Sequence, residues 1–115
     1  MSASTAHAIR AFNEACNRHD VDAMMALMTN DCIFENTLPP PDGERHVGQA
    51  AVRKFWVEFF AGTPHAKFET EEMVVAGDRA VVPWRFDWGD GHVRGIDLFK
   101  VRDGQVAEKL SYVKG

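Results

Sequence analysis

Hydrophobic positions along the chain change from a helical to a strand-like period about half-way. Apolar side chains recur every three or four positions over residues 4–19, 21–28 and 49–61, which predicts three helices. A strand is predicted over residues 31–36, a proline-rich loop over 37–48, and four strands over 66–76, 80–88, 92–101 and 105–113. Helices followed by an antiparallel meander predict an α+β fold, a curved antiparallel sheet with the helices on one side.

One carboxylate stands out in the predicted hairpin of residues 80–101. If Asp90 and Gly91 form a two-residue turn, Trp84 pairs with Asp97 across the two strands. Alternation along the strands then gathers nine residues on one face, all of them apolar or glycine except Asp97. An isolated carboxylate on such a face has either a partner or a function.

The last hairpin has two possible registers. A two-residue loop at Asp103 and Gly104 pairs Val101 with Val106, whereas a three-residue loop pairs Val101 with Gln105. The second register places Lys109 opposite Asp97 and puts Ser111 on the same face. It leaves an apolar row on the reverse face, which we interpret as a homodimer interface: Ile96, Leu98, Val106, Leu110 and Tyr112.

Composition narrows the possible functions. The chain has 115 residues, which predicts a single domain over residues 1–115, and a net charge of −4, so nucleic acid and anionic membranes are not expected partners. Cys16 and Cys32 are expected to be core thiols in the reducing cytoplasm. The five histidines have no metal-ligand spacing, and no cofactor motif is present, so we expect neither a metal nor a cofactor.

The order of elements resembles the nuclear transport factor 2-like superfamily over essentially the whole chain. Within it the sequence is most similar to the group of ketosteroid isomerases, SnoaL-type polyketide cyclases and limonene epoxide hydrolases. The similarity is carried by residues 17–24, 31–36, 47–50, 80–86 and 95–99. It implies a cone-shaped α+β barrel with a pocket between the helices and the concave sheet, and it favours the three-residue final loop. Such a fold hosts enzymes, binding proteins and scaffolds alike.

Only some of the catalytic positions of these related enzymes carry the same residue in this sequence. Asp97 matches the position of a protonated oxyanion-binding Asp in ketosteroid isomerases. The isomerase base falls at Asn36 and the oxyanion Tyr at Phe12, so steroid isomerisation by that mechanism is not expected. Epoxide hydrolases keep an Asn at the position of Asn36, but their water-activating Asp falls at Ser111.

Each candidate residue has a structural alternative. Asp97 is an acid or base in an apolar pocket, or it forms an ion pair with Lys109 that stabilises the hairpin. Asn36 orients a carbonyl or a water, or it bonds its own loop. The remaining predicted ligand-binding residues are aromatic or polar side chains for which core packing is the alternative: Phe12, Phe34, Trp56, Phe60, Trp84, Phe86, Phe99, Lys109 and Ser111.

The leading hypothesis is a cofactor-independent isomerase, cyclase or hydratase. Its substrate would be a small hydrophobic carbonyl compound, epoxide or polyketide-like molecule, with Asp97 moving a proton and Asn36 orienting an oxygen. The alternative is a non-catalytic domain that binds a small ligand or assembles subunits.

Overall fold

The computed structural model describes residues 2–115 of the chain, with side chains from residue 4 onward. Three helices and seven strands follow one another in these bounds: α1 (Ser2–Asn17), α2 (Val21–Ala26), β1 (Met28–Glu35), β2 (Arg45–Val47), α3 (Gln49–Gly62), β3 (Lys67–Thr70), β4 (Val74–Ala76), β5 (Arg79–Asp87), β6 (His92–Arg102) and β7 (Gln105–Val113). The short strand β2 lies in a segment that the sequence predicts as loop.

The strands form one curved, unclosed sheet in the order β2-β1-β7-β6-β5-β3, with β4 also paired to β5. All pairs are antiparallel except β1 with β7, which run parallel and are separated along the chain by one helix and five further strands. The helices pack against one face of the sheet and share a core with it. The predicted α+β class and cone-shaped architecture are thereby confirmed.

The core lies where the apolar faces of α1 and α3 meet the sheet. Ile9 and Phe12 of α1 and Val52 of α3 have no exposed surface, and Phe99 of β6 contacts Phe12 edge-on with ring centroids 6.2 Å apart. These side chains recur at helical spacing in α1 and α3 and at alternate positions in β6, so one apolar stripe per element suffices to build the core.

The predicted strand over residues 66–76 is in fact two strands, β3 and β4. Thr70 pairs with Trp84, whereas Val74 pairs with Val81, so one extra residue bulges out between the two strands. The break lies opposite Pro83, whose nitrogen has no proton for the ladder, although its carbonyl still accepts from the N–H of Glu71 at 2.9 Å.

The β5–β6 hairpin is shifted by two residues from the predicted register. Trp84 pairs with Gly95, and Val82 pairs with Asp97. The turn spans four residues rather than two, because the Asp87 side chain accepts from the N–H of Gly89 at 2.9 Å and ends the strand early. An even shift leaves every side chain on its predicted face.

The final hairpin begins in the first of the two predicted registers. The three-residue loop that the resemblance favours is not formed, so Lys109 does not lie directly opposite Asp97 as that register predicts. Asp103 and Gly104 form a two-residue turn with φ values of 53° and 77°, and Val101 pairs with Val106. A bulge then shifts the ladder by one residue, so that Asp97 lies opposite Ser111 and Phe99 opposite Lys109. Val106 is therefore fully buried in the core and does not lie on the reverse face as predicted.

The reverse face of the sheet keeps the other four apolar residues. Ile96 is 37% exposed and pairs with Tyr112, which is 51% exposed, while half-buried Leu98 pairs with Leu110. No helix in the described part of the chain is long and apolar enough to cross a membrane.

Phe12 is expected to stabilise the fold by packing in the core. Replacement of this fully buried ring, Phe12→Ala, should lower the free energy of unfolding by about 3–5 kcal/mol, because it leaves a cavity against Phe99. Urea denaturation measures the loss, and Val57→Ala, on an exposed helix position, is the control. A change below about 1 kcal/mol at Phe12 would contradict the core assignment.

Candidate active site

A cavity of about 400 Å³ opens between α3 and the helix-covered face of the sheet. Its wall is almost entirely apolar, and its polar groups are few. The lining residues are Phe34, Asn36, Thr37, Leu38, Phe55, Trp56, Phe59, Phe68, Trp84, Phe86, Trp88, Val93, Asp97, Lys109, Ser111, Val113 and Lys114. Aromatic walls around a small convergent polar group are typical of sites for small molecules.

Asp97 is the only acidic residue that lines this cavity, and it is 7% exposed. Its Oδ1 accepts a hydrogen bond from Trp84 Nε1 at 2.9 Å and another from the Ser111 hydroxyl at 2.7 Å. Its Oδ2 lies 3.2 Å from Lys109 Nζ. The carboxylate is therefore buried but well partnered, which is what keeps such a group from destabilising an apolar interior.

Lys109 is 5% exposed and completes a triangle with Asp97 and Ser111. Its ammonium group also donates to Ser111 Oγ at 3.2 Å and lies 4.9 Å from the ring centroid of Phe34 and 5.3 Å from that of Trp56. The two aromatic faces stabilise the cation where water is excluded.

The Asp97–Lys109 pair lines the cavity and retains some hydrogen-bonding capacity. Asp97 Oδ1 accepts two hydrogen bonds from the described residues, whereas Oδ2 lies in ion-pair contact with Lys109 and can accept a further hydrogen bond. Lys109 donates to Ser111 and forms an ion pair with Asp97, which leaves at least one of its three ammonium protons for another acceptor. One acceptor and one donor thus lie side by side in an apolar cavity.

Gly95 makes the Trp84–Asp97 contact possible. Because Trp84 pairs with Gly95, its indole lies across β6, and a Cβ atom at Gly95 would come within 2.6 Å of Trp84 Cζ2. It would also come within 2.0 Å of the Tyr112 carbonyl oxygen. Any side chain at this position would displace the indole that donates to Asp97.

Asn36 lies at the end of β1 and lines the cavity. Its backbone N–H donates to the Glu44 carbonyl at 2.9 Å, and its half-buried side-chain amide makes no hydrogen bond to any residue that the structure describes. The sequence allows two roles for Asn36, orienting a ligand oxygen or bonding its own loop. In this structure the side chain of Asn36 does not bond the described residues of its loop.

The structure separates the predicted ligand-binding residues into two groups. Those that line the cavity are Phe34, Trp56, Trp84, Phe86, Lys109 and Ser111. Phe12, Phe60 and Phe99 do not line it, contrary to expectation. Phe12 and Phe99 pack in the core, and Phe60 stacks on His19 with centroids 4.2 Å apart.

Several lining residues were not singled out from the sequence. Phe55 and Phe59 belong to the apolar stripe of α3, and Phe68 lies on β3 and stacks on Phe86 at 4.8 Å. Their helical and alternate-residue spacing was visible, but spacing alone does not distinguish a cavity wall from solid core. Leu38 lies in a loop and carries no periodic signal, whereas Trp88 belongs to the row that strand alternation places on the face of Asp97.

The family is decided by comparison with known proteins. Residues 9–109 match the model of the SnoaL-like domain. The chain belongs to the SnoaL-like domain family. No curated protein matches it significantly.

Solved structures share the fold of this SnoaL-like domain. A nuclear transport factor 2-like protein of unknown function from Mesorhizobium loti is 43% identical, with 99% of this chain and 93% of that one covered and a TM-score of 0.87. A provisionally assigned polyketide cyclase from Sinorhizobium meliloti is 23% identical over 92% and 94% of the two chains, with a TM-score of 0.81. A provisionally assigned ketosteroid isomerase from Kribbella flavida is 21% identical over 99% and 80%, with a TM-score of 0.86. The last two establish the fold alone.

The cysteines of the SnoaL-like domain are buried free thiols. Burial raises the pKa of Cys16 to about 12, an effect that Lys109 opposes and Asp97 reinforces. Burial also raises the pKa of Cys32. Neither thiol is therefore an activated nucleophile. Among residues 4–115, no three His, Cys, Asp or Glu side chains are grouped to hold a metal ion.

The Asp97–Lys109 pair of this SnoaL-like domain should be costly to break. Lys109→Met leaves the buried carboxylate without its cation and should lower the free energy of unfolding by about 3–5 kcal/mol at pH 7. The double variant Asp97→Asn/Lys109→Met removes both charges and should recover much of that loss. Urea denaturation measures both variants.

The exposed Arg53–Asp22 pair supplies the control. Arg53→Met should change the free energy of unfolding by less than about 1 kcal/mol, because solvent screens that pair. Equal losses at Lys109 and Arg53 would contradict the assignment of a buried pair.

Proposed function

We propose that this SnoaL-like domain binds a small hydrophobic carbonyl compound, epoxide or polyketide-like molecule and acts on it as a cofactor-independent isomerase, cyclase or hydratase. The observation that carries the proposal is the Asp97–Lys109 pair, a proton acceptor and a proton donor 3.2 Å apart in an otherwise apolar cavity of about 400 Å³. Enolisation, aldol-type cyclisation and hydration all need a base and an acid at neighbouring atoms.

The catalytic roles of Lys109 and Asp97 follow from the hydrogen-bonding capacity that each keeps within the pair. The third proton of Lys109 Nζ hydrogen-bonds the substrate oxygen and stabilises the negative charge that develops there. The free lone pair of Asp97 Oδ2 accepts the proton from the adjacent carbon or from an attacking water. Asn36, with its amide unbound by the described residues, orients the oxygen or the water.

The aromatic wall contributes by excluding water. Phe34, Trp56 and Trp84 contact the pair, so a flat apolar substrate that fills the cavity leaves little solvent beside Asp97 and Lys109. Both electrostatic interactions with the substrate then act in a low dielectric, where they are stronger than in water.

Ligand binding without catalysis is the second candidate. It is supported by the contacts of Asp97 with Trp84, Ser111 and Lys109, because a carboxylate with these partners also has a structural role in holding neighbouring strands together. In that case Lys109 and Asn36 would bind the polar end of a ligand, and the ligand would be released without chemical change.

Hydrogen–deuterium exchange of 2-tetralone tests the enzyme proposal. This flat ketone has acidic α-protons, and the protein should accelerate their exchange in D₂O, followed by proton NMR. Asp97→Asn should reduce the acceleration by about 100-fold or more, because an amide cannot take up the proton. Asp90→Asn, in the exposed β5–β6 turn, should leave it unchanged.

The outcomes separate the two candidates. Quenching of tryptophan fluorescence reports binding of 2-tetralone independently of turnover, and circular dichroism reports whether each variant folds. Binding without accelerated exchange would identify a non-catalytic ligand-binding domain. If Asp97→Asn does not fold, Ser111→Ala, which removes one hydrogen bond to Oδ1, should still change the exchange rate.

We also propose that two copies associate through the reverse face of the sheet. Ile96, Leu98, Leu110 and Tyr112 form adjacent cross-strand pairs there, and burying such a row removes apolar surface from water. Light scattering should give twice the mass of one chain, and Ile96→Lys should give a single-chain mass. Val57→Lys, on an exposed helix position, should not change the mass. A single-chain mass for the unaltered protein would end this proposal.

The proposed location is the cytoplasm, and the proposed unit is one domain over residues 1–115. Two buried free thiols support a reducing compartment. All seven strands lie in one sheet, which supports a single domain.

A further inference from the structure

The mouth of the cavity is bordered by exposed apolar side chains. Leu38 is 62% exposed, Trp88 43% and Val113 39%, and all three line the cavity. Polar Thr37 and charged Lys114 lie beside them. The apolar wall of the cavity thus continues outward onto the surface rather than ending at a polar rim.

Leu38 is held at the mouth by its loop. Hydrogen bonds join the backbone N–H of Asn36 to the Glu44 carbonyl, that of Glu44 to the Leu38 carbonyl, and that of Gly43 to the Pro39 carbonyl, at 2.8–3.1 Å. The loop is so closely folded that a Cβ atom at Gly43 would come within 1.7 Å of the Asn36 carbonyl oxygen. Leu38 is therefore presented to solvent by a fixed backbone.

Trp88 is held by the β5–β6 turn. Its N–H donates to the Gly91 carbonyl at 3.1 Å, and its indole lies over Gly91, where a Cβ atom would come within 2.8 Å of Cζ2. The Phe86 ring lies 5.8 Å away, centroid to centroid. Trp88 thus continues the aromatic wall to the outer edge of the cavity.

The charged pair of Asp97 and Lys109 lies deeper in the cavity than the apolar residues of the mouth. Asp97 and Lys109 are 7% and 5% exposed, against 39–62% for the three apolar residues of the mouth. A ligand that places its oxygen at the pair must therefore direct the rest of its structure toward Leu38 and Trp88.

We propose that the ligand is an elongated apolar molecule with its oxygen-bearing head at Asp97–Lys109 and an alkyl or acyl tail that extends past Leu38 and Trp88. This inference rests on the proposed ligand site but not on catalysis. Exposed apolar surface that is continuous with a cavity gains from being covered by the same molecule.

A homologous series of 4-alkylphenols, from ethyl to nonyl, tests the length of the ligand. Each methylene that contacts apolar surface should tighten binding by about two- to fourfold. The gain should continue in the longer members, whose chains pass the mouth. Dissociation constants are measured by quenching of tryptophan fluorescence and checked by calorimetry.

Leu38→Ala should weaken binding of the octyl and nonyl phenols several-fold and leave ethylphenol unchanged. Val74→Ala is the matched control, because Val74 is also 62% exposed but lies on β4 away from the cavity. Trp88→Leu is a second variant that should act in the same direction.

Three results would overturn the inference: a plateau in affinity at the shorter chains, equal effects of Leu38→Ala on short and long phenols, or equal effects of Leu38→Ala and Val74→Ala. A failure of every phenol to bind would instead count against the proposed ligand site itself. Binding of short phenols alone would retain that site and reject the extended tail.

Discussion

The ion pair between Asp97 and Lys109 is the interaction on which the site depends. Burying either charge alone would cost several kcal/mol of folding free energy. The two charges are stable in the interior because they form an ion pair and each has further polar or aromatic partners. Trp84 and Ser111 donate to the carboxylate, while Phe34 and Trp56 lie within cation–π distance of the ammonium. Five elements of the cavity wall, β1, α3, β5, β6 and β7, are thereby linked at one point.

Two features of the sheet backbone bring Asp97 together with its partners. The bulge after Val106 turns both Val106 and Ala107 into the interior and places Ser111 opposite Asp97. Without it, a two-residue turn would carry Lys109 and Ser111 to the reverse face, and Asp97 would be left without its cation. Gly95 supplies the second requirement, a flat surface over which Trp84 reaches the carboxylate.

The family match and the cavity both indicate a domain that binds a small molecule, but neither identifies a reaction. SnoaL-like domains share a cone-shaped scaffold, and the 43% identical relative is itself of unknown function. Function therefore depends on the polar groups that this chain places in the cavity, because the scaffold alone is compatible with many activities. Here these groups include the partnered acid Asp97, the buried Lys109 and the side-chain amide of Asn36, which makes no hydrogen bond to any residue that the structure describes.

The sequence alone offers the partnership of Asp97 with Lys109 as one of two alternatives. It determines outright the α+β class, most element positions and the face of the sheet on which Asp97 lies. These follow from local periodicity and from the parity of strand pairing, which survives a register shift of two residues. The tertiary structure decided which aromatic side chains line a cavity. Phe12 and Phe99 have the same spacing as cavity residues but meet each other in the core. It also decided the hairpin registers, the break opposite Pro83 and the position of Leu38. Side-chain hydrogen bonds at turns and contacts between distant segments determine these features, and neither leaves a periodic trace in the sequence.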